Sequence, residues 1–199
     1  MKKLFGFLCA VGITASIFSF NNNNVTDFES NTDSNISKSY ITWVGSKLDK
    51  SSGTEKAHHG IVEVKDAKIK MVNEKLPEAV SVTVDLGKIT NADLTDELKG
   101  KLITHLQSAD FFNISVFPDA KFTSTKITKL ENDKLDFKMD GNITIKGITK
   151  PISVKAHIVK MKNEYLLESE NFLLDGKEFK FIKDDSYNDV SLRVQVFFK

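Results

Sequence analysis

Residues able to do chemistry are few in this sequence, and their spacing narrows them further. His58-His59 with His105 or His157 would be the imidazole set for a divalent metal. Neighbouring residues on a strand point to opposite faces, so at most one of His58 and His59 can face a given site. No cysteine or clustered carboxylate stands nearby at ligand spacing, which favours ordinary histidines over a metal centre. His105 is expected to cap or pack at a helix end, and His157 to face water. Asp184-Asp185 with Asp189 reads as a solvated loop, a weak ion site being the sharper alternative. Cys9, the single cysteine, falls in an apolar N-terminal run. No G-x-S-x-G elbow is present. Gly141 to Gly147 keeps a strand alternation and lacks the Lys-Ser/Thr ending of a phosphate loop. The expectation is therefore a protein that is not an enzyme.

What remains is apolar surface, led by Trp43, Phe111, Phe112, Phe117, Phe122 and Phe137. Burying such a ring contributes about 1.5–3 kcal/mol whether its neighbour is protein or guest. Ring types alone thus leave both core and cavity lining open.

The elements that must position these rings follow from periodicity. Leu94, Leu98, Leu102 and Leu106 recur at steps of four with Ile103 beside them, one apolar stripe of a helix over Asp93–Leu106. Thr90 and Asn91 are N-cap types before it, and Asp93, Asp96 and Glu97 favour its positive end. Almost everything else alternates at period two. Strands are expected at Tyr40–Gly45, Ile61–Lys65, Ala67–Met71, Ala79–Leu86, Lys121–Leu130, Leu135–Ile145, Ile152–Ile158, Tyr165–Leu174 and Val190–Phe198. Leu48–Ala57 reads as a polar loop, Asp66 as a turn, and Gly141 as a bend in a long coiled strand. Without crossover helices this set is an antiparallel meander, best closed into an eight-stranded barrel that removes its edges. Such a barrel is just wide enough to be filled or to hold one small apolar ligand.

Lys2-Lys3 and the apolar run Leu4–Phe20 have the form of a secretory leader over residues 1–20. Cleavage would release a periplasmic or secreted protein, and retention would tether it to a membrane. Asn21–Ser39 is polar and reads as a disordered linker. The chain carries 28 basic and 27 acidic residues, so no global basic field recruits nucleic acid or anionic lipid. About 160 residues from Tyr40 onward are enough for one full core.

Two stretches resemble a known family. One is His105-Leu106-Gln107-Ser108-Ala109-Asp110-Phe111-Phe112 followed by Phe117-Pro118-Asp119-Ala120-Lys121-Phe122. The other is Gly141-Asn142-Ile143-Thr144-Ile145-Lys146-Gly147-Ile148-Thr149-Lys150-Pro151-Ile152. In this order they resemble the YceI family of exported lipocalin-like proteins, over roughly Tyr40–Lys199. The resemblance implies an antiparallel eight-stranded lipocalin-like barrel with one amphipathic helix near its mouth. It also implies a long isoprenoid guest, a polyprenyl lipid or isoprenoid quinone, and no cofactor beyond it. Tyr40–Gly45 lacks the His-Ser pair common in that family, and Asp175-Gly176-Lys177 departs from its usual Asp-Arg, so no headgroup contact carries over.

Trp43, Val84, Leu102, Leu106, Phe111, Phe112, Phe122, Phe137, Met139, Ile143, Val154 and Val194 are the candidate ligand-binding lining. A one-residue register error would reverse the assignment for a whole strand. The partner is then an apolar lipid, with peripheral or tethered membrane association and homodimerisation left open. The alternative is a structural or stress-related barrel with a filled core. An enzyme would need titratable groups pointing inward, where the alternation puts almost none.

Overall fold

A computed structural model describes residues 39–183 and 185–199. The expected leader, Cys9, Asp184 and all of the linker but Ser39 lie outside the described residues. The strands are β1 (Tyr40–Asp49), β2 (Thr54–Asn73), β3 (Leu76–Asp85), β4 (Asp119–Lys129), β5 (Phe137–Ile145), β6 (Ile148–Lys160), β7 (Tyr165–Ser169), β8 (Phe172–Leu174) and β9 (Val190–Phe198). Each pairs antiparallel with its neighbour from β1 to β6, then β6 with β7 and β7 with β9, and β9 returns to β1. The circle is an eight-stranded barrel, because β7 and β8 are two pieces of one strand on the same side of β9. Tyr165–Leu174 is thus the single strand its pattern predicts, broken where the register slips between Glu168↔Gln195 and Phe172↔Leu192. The Ser169 hydroxyl repairs the break: it accepts from the Val194 amide at 2.9 Å and donates to the Glu170 carbonyl at 2.8 Å.

Two expectations change at the start of the barrel. Ile61–Lys65 and Ala67–Met71 are not separate strands. They belong to the 20-residue β2, and Asp66 follows a bulge, not a turn, as the ladder to β3 shifts between Val64 and Asp66. Leu48–Ala57 is not a loop either, because β1 and β2 continue as a hairpin to Asp49 and Thr54. Ser39, placed in the linker, is buried: its hydroxyl accepts from the Phe197 amide at 2.9 Å. Gly141 does sit at an irregularity, but the bulge is in the partner strand β4, between Ser124 and Lys126. A Cβ at Gly141 would lie 2.6 Å from the Phe122 ring, so the glycine makes room for that side chain.

The helix α1 spans Asp96–Gln107, starting three residues later than its stripe suggests. Thr95 is its N-cap, with no side-chain cap bond. Leu94 precedes the helix and Leu98 is exposed, so the stripe packs through Leu102, Ile103 and Leu106. Between β3 and α1 the chain lies along β2: the Thr90 amide donates to the Ile61 carbonyl and the Ala92 amide to His59. Gly60 permits this approach, since a Cβ there would stand 1.9 Å from the Thr90 carbonyl oxygen. Gly60→Ala is expected to cost about 1–3 kcal/mol as the segment is pushed off. Chemical denaturation of the variant measures it, and an unchanged midpoint would show that the segment shifts freely.

The barrel is solid at one end. Phe137, Ala156 and Val196, all at 1% exposure or less, fill the end nearest the β4–β5 and β6–β7 turns, and Val80 and Leu167 sit against them as the floor of the space above. The other end is covered by α1 and by residues 175–183.

Candidate binding cavity

Above that solid end the barrel is hollow. A cavity of about 910 Å³ is walled by Val82 and Val84 of β3, Phe122 of β4, Met139, Ile143 and Ile145 of β5, Ile152 and Val154 of β6, and Val190, Leu192 and Val194 of β9. Drug-sized ligands occupy pockets of roughly 300–1,000 Å³, so the space suits a sizeable guest. Trp43 of β1 joins the wall, its indole N–H donating to the Thr90 carbonyl at 3.1 Å. That bond satisfies the ring's one polar group and leaves its apolar body for the interior.

The cover is aromatic. Phe111, Phe112 and Phe181 meet at ring distances of 4.8, 5.1 and 5.0 Å, and His105 stands 5.7 Å from Phe111. Leu102 and Leu106 of α1 and Ile182 complete it. The turn after α1 is fixed by the Phe112 amide donating to the Leu106 carbonyl, and the facing segment is tied across by Lys183 to Asp110 at 3.0 Å. That ammonium holds the exposed Asp110 carboxyl below its usual range.

The structure brings eleven of the twelve candidate lining residues to one cavity: Trp43, Val84, Leu102, Leu106, Phe111, Phe112, Phe122, Met139, Ile143, Val154 and Val194. Phe137 is the exception; it has no exposed surface and belongs to the solid end. Phe181 and Ile182 were missed, because residues 175–183 have no period to read. Also missed was the polar rim, Ser46–Ser51, Lys56 and Ser186–Asn188, where the cavity meets solvent. Its pattern is that of a loop, although Ser46–Asp49 and Lys56 are strand.

The histidines divide. His58 Nδ1 lies 2.7 Å from Asp93 and the His59 amide donates to the same carboxylate at 2.9 Å. Asn91, itself buried, donates to it at 2.8 Å. Asp93 therefore fastens β2 to the segment before α1, a job its place near a helix start conceals. His157 is only partly exposed and stands 3.4 Å from Glu168. Among the described residues no group of three His, Cys, Asp or Glu side chains could hold a metal.

The His58 hydrogen bond, then the His59 amide, keep the Asp93 carboxyl far below the ordinary carboxylate range. A carboxyl whose folded pKa lies below its unfolded value of about 3.9 stabilises fully above that value. The contribution disappears as pH falls through the folded pKa. Asp93→Ala should cost about 2–3 kcal/mol at neutral pH, the value of hydrogen bonds to a charged group. Denaturation of both proteins at pH 7 and near pH 2 checks this: the difference should shrink in acid, and a constant difference would contradict the assignment.

Known proteins agree with this architecture. "Protein YceI" of Salmonella arizonae and of Salmonella newport are each 39% identical over 87 residues, covering 44% of this chain and 42% of theirs. The chain thus aligns with less than half the length of those curated relatives. Burkholderia cenocepacia BcnA superposes with a TM-score of 0.62 at 18% identity, over 81% of this chain and 97% of that one. A mutant CJ YceI protein for nanotechnology applications gives 0.51 at 19% identity, over 95% and 94%. At such identities the likeness is one of fold. The family model of the YceI-like domain matches residues 31–199, the barrel, its helix and the residues just ahead of β1, and on that match the chain belongs to the YceI family.

Proposed function

We propose that the barrel takes up one long apolar molecule of the isoprenoid type and keeps it from water. The observation that carries the reading is the 910 Å³ cavity whose walls below the polar rim are mainly aliphatic and aromatic side chains. Each methylene moved from water into such a wall contributes about 0.8 kcal/mol, so a long chain gains ample affinity without any polar contact. Family membership supports the isoprenoid class. The basic-then-apolar start of the chain supports export, with the function exercised in the periplasm or outside the cell. The mechanism is binding: the walls of the hollow are aliphatic and aromatic and offer burial, and the titratable lining residues Lys47, Asp49, Lys50, Lys56 and Tyr187 stand at its rim. The rival, a barrel filled by its own side chains, is disfavoured by the volume left over.

The test is to purify the domain from its own host under gentle conditions and weigh it in native and denaturing mass spectrometry. A bound lipid lost on denaturation is the expected result. Absence of an adduct, together with no uptake of geranylgeraniol by the stripped protein, would remove the carrier reading.

A further inference from the structure

The outer wall formed by β7, β8, β9 and β1 differs in composition from its neighbours. These four strands hold one lysine, Lys47, and it lines the cavity, whereas the flanking β2 and β6 carry four and three. Arg193, the chain's only arginine, lies in this wall. Val190, Leu192 and Val194 border the hollow, so Ser191, Arg193, Gln195 and Phe197 point outward, and the pairings carry that assignment to the neighbouring strands. The outward residues make two apolar bands. Nearer the solid end, Val159, Leu166 and Phe197 are direct partners across three strands. Nearer the mouth, Leu173 and Val44 both pair with the small Ser191 and are exposed at 65% and 41%. Between the bands lies a belt whose charges are already satisfied. The Glu168 carboxylate, its side chain only 15% exposed, accepts from Arg193 and Gln195 at 2.9 Å each, and His157 stands at 3.4 Å. Depletion of lysine with retention of Phe, Leu, Tyr and a paired Arg is the composition of a protein interface.

We propose that this face joins a second copy of the chain about a two-fold axis lying in the face along the belt. Such an axis turns the partner end for end, so the band near one subunit's mouth meets the band near the other's solid end, and belt meets belt. The pattern is self-complementary, as an isologous contact requires. It also selects against other occupants. An anionic bilayer is drawn by unpaired cations, and the one outward cation of these four strands is held by Glu168. Residues 21–38 carry Asp27, Glu29 and Asp33 against Lys38, and would find no free positive charge there. Ser191 and Phe197 set the bands about 20 Å apart along β9, and the wall from β6 to β1 is about 14 Å wide. That footprint is below the roughly 800 Å² per partner of a stable complex, so the dimer is weak and reversible. The proposal goes beyond the carrier reading and does not rest on it.

Sedimentation velocity on the protein purified from its own host reads the contact directly. The sedimentation coefficient should rise from the monomer's toward the dimer's between about 5 and 500 µM. V159K/L173K puts a lysine into each band at positions already exposed, and should leave a monomer throughout with the melting temperature unchanged. V72K/V116K, the same change at exposed valines off this face, should leave the dimer. V159S/L173S adds no charge, should weaken association about 10-fold, and decides the matter if the lysines lower the melting temperature. Trp43, the only tryptophan, lies on the cavity wall and reports uptake of geranylgeraniol by its fluorescence, which none of these pairs should alter. A monomer at every concentration, or a dimer indifferent to both band variants, would overturn the proposal. So would co-sedimentation with phosphatidylglycerol vesicles by the parent protein but not by V159K/L173K, which would give the face to a bilayer. Oxidative footprinting completes the set: protection of Leu173 and Phe197 should grow with protein concentration. Protection independent of concentration would give the face to residues 21–38 and overturn the second copy.

Discussion

Val194→Trp should weaken uptake of an apolar chain while leaving the barrel at least as stable as before. Val194 lies on β9, half-buried, and its side chain borders the hollow. A tryptophan there has 910 Å³ of space to enter, and every ångström it occupies is taken from the guest. Affinity for geranylgeraniol should fall by about 10-fold or more, a loss of roughly 1.4 kcal/mol or greater. Two readings of the molecule separate cleanly at this position. In a filled core the extra ring has nowhere to go, and overpacking costs about 1–3 kcal/mol, equivalent to several degrees of melting temperature. In a hollow one it gains contacts and the melting temperature holds or rises. Measuring both numbers on one variant matters, since lost binding with a lowered melting temperature would indicate damage and not occupancy.

Why the wall was largely legible, and the ends were not, follows from what alternation encodes. A half-buried strand must write its inward side into every second residue, so Val84, Met139, Ile143, Val154 and Val194 could be chosen without coordinates. The rule needs an interior on one side and water on the other. The upper hairpin rises to the rim where the cavity meets solvent, so most residues of Leu48–Ala57 are polar and the stretch looks like a loop. β2 carries a bulge at Lys65–Asp66, which breaks the period and made one strand look like two. Asp93 misled for a different reason: an acid near a helix start has a sufficient explanation in the helix dipole, and its bonds to His58 and His59 are between segments 34 and 35 residues apart. Leu98 completes a helical stripe in sequence, but α1 meets the barrel through its last turns. Phe181 enters the cover from a segment with no regular period, and only its neighbours in space reveal it.

Depth along the barrel axis is the remaining blind spot, and Phe137 measures it. Alternation assigns Phe137 to the inner face of β5, the face of Met139, Ile143 and Ile145, and that assignment holds. It says nothing about how far from the mouth the ring lies. Phe137 pairs with Lys129 and Ala156 near the β4–β5 turn and has no exposed surface, as has Ala156 beside it. Phe137→Ala should therefore be the most costly single truncation in the barrel, about 3–5 kcal/mol, because a large ring leaves a close-packed layer. Affinity for the chain should change by less than about 3-fold, since such a change is under 1 kcal/mol and the ring touches no part of the hollow. Phe112→Ala is the complement. Its ring is half-buried in the cover, borders the hollow and packs on Phe111 and Phe181, so stability should fall less and affinity more. Denaturation and Trp43 titration of the two variants give four numbers. If Phe137→Ala weakened binding as much as Phe112→Ala does, the hollow would have to extend past Val80 and Leu167, which line it, into the layer of Phe137, Ala156 and Val196, and the closed end would be a second mouth.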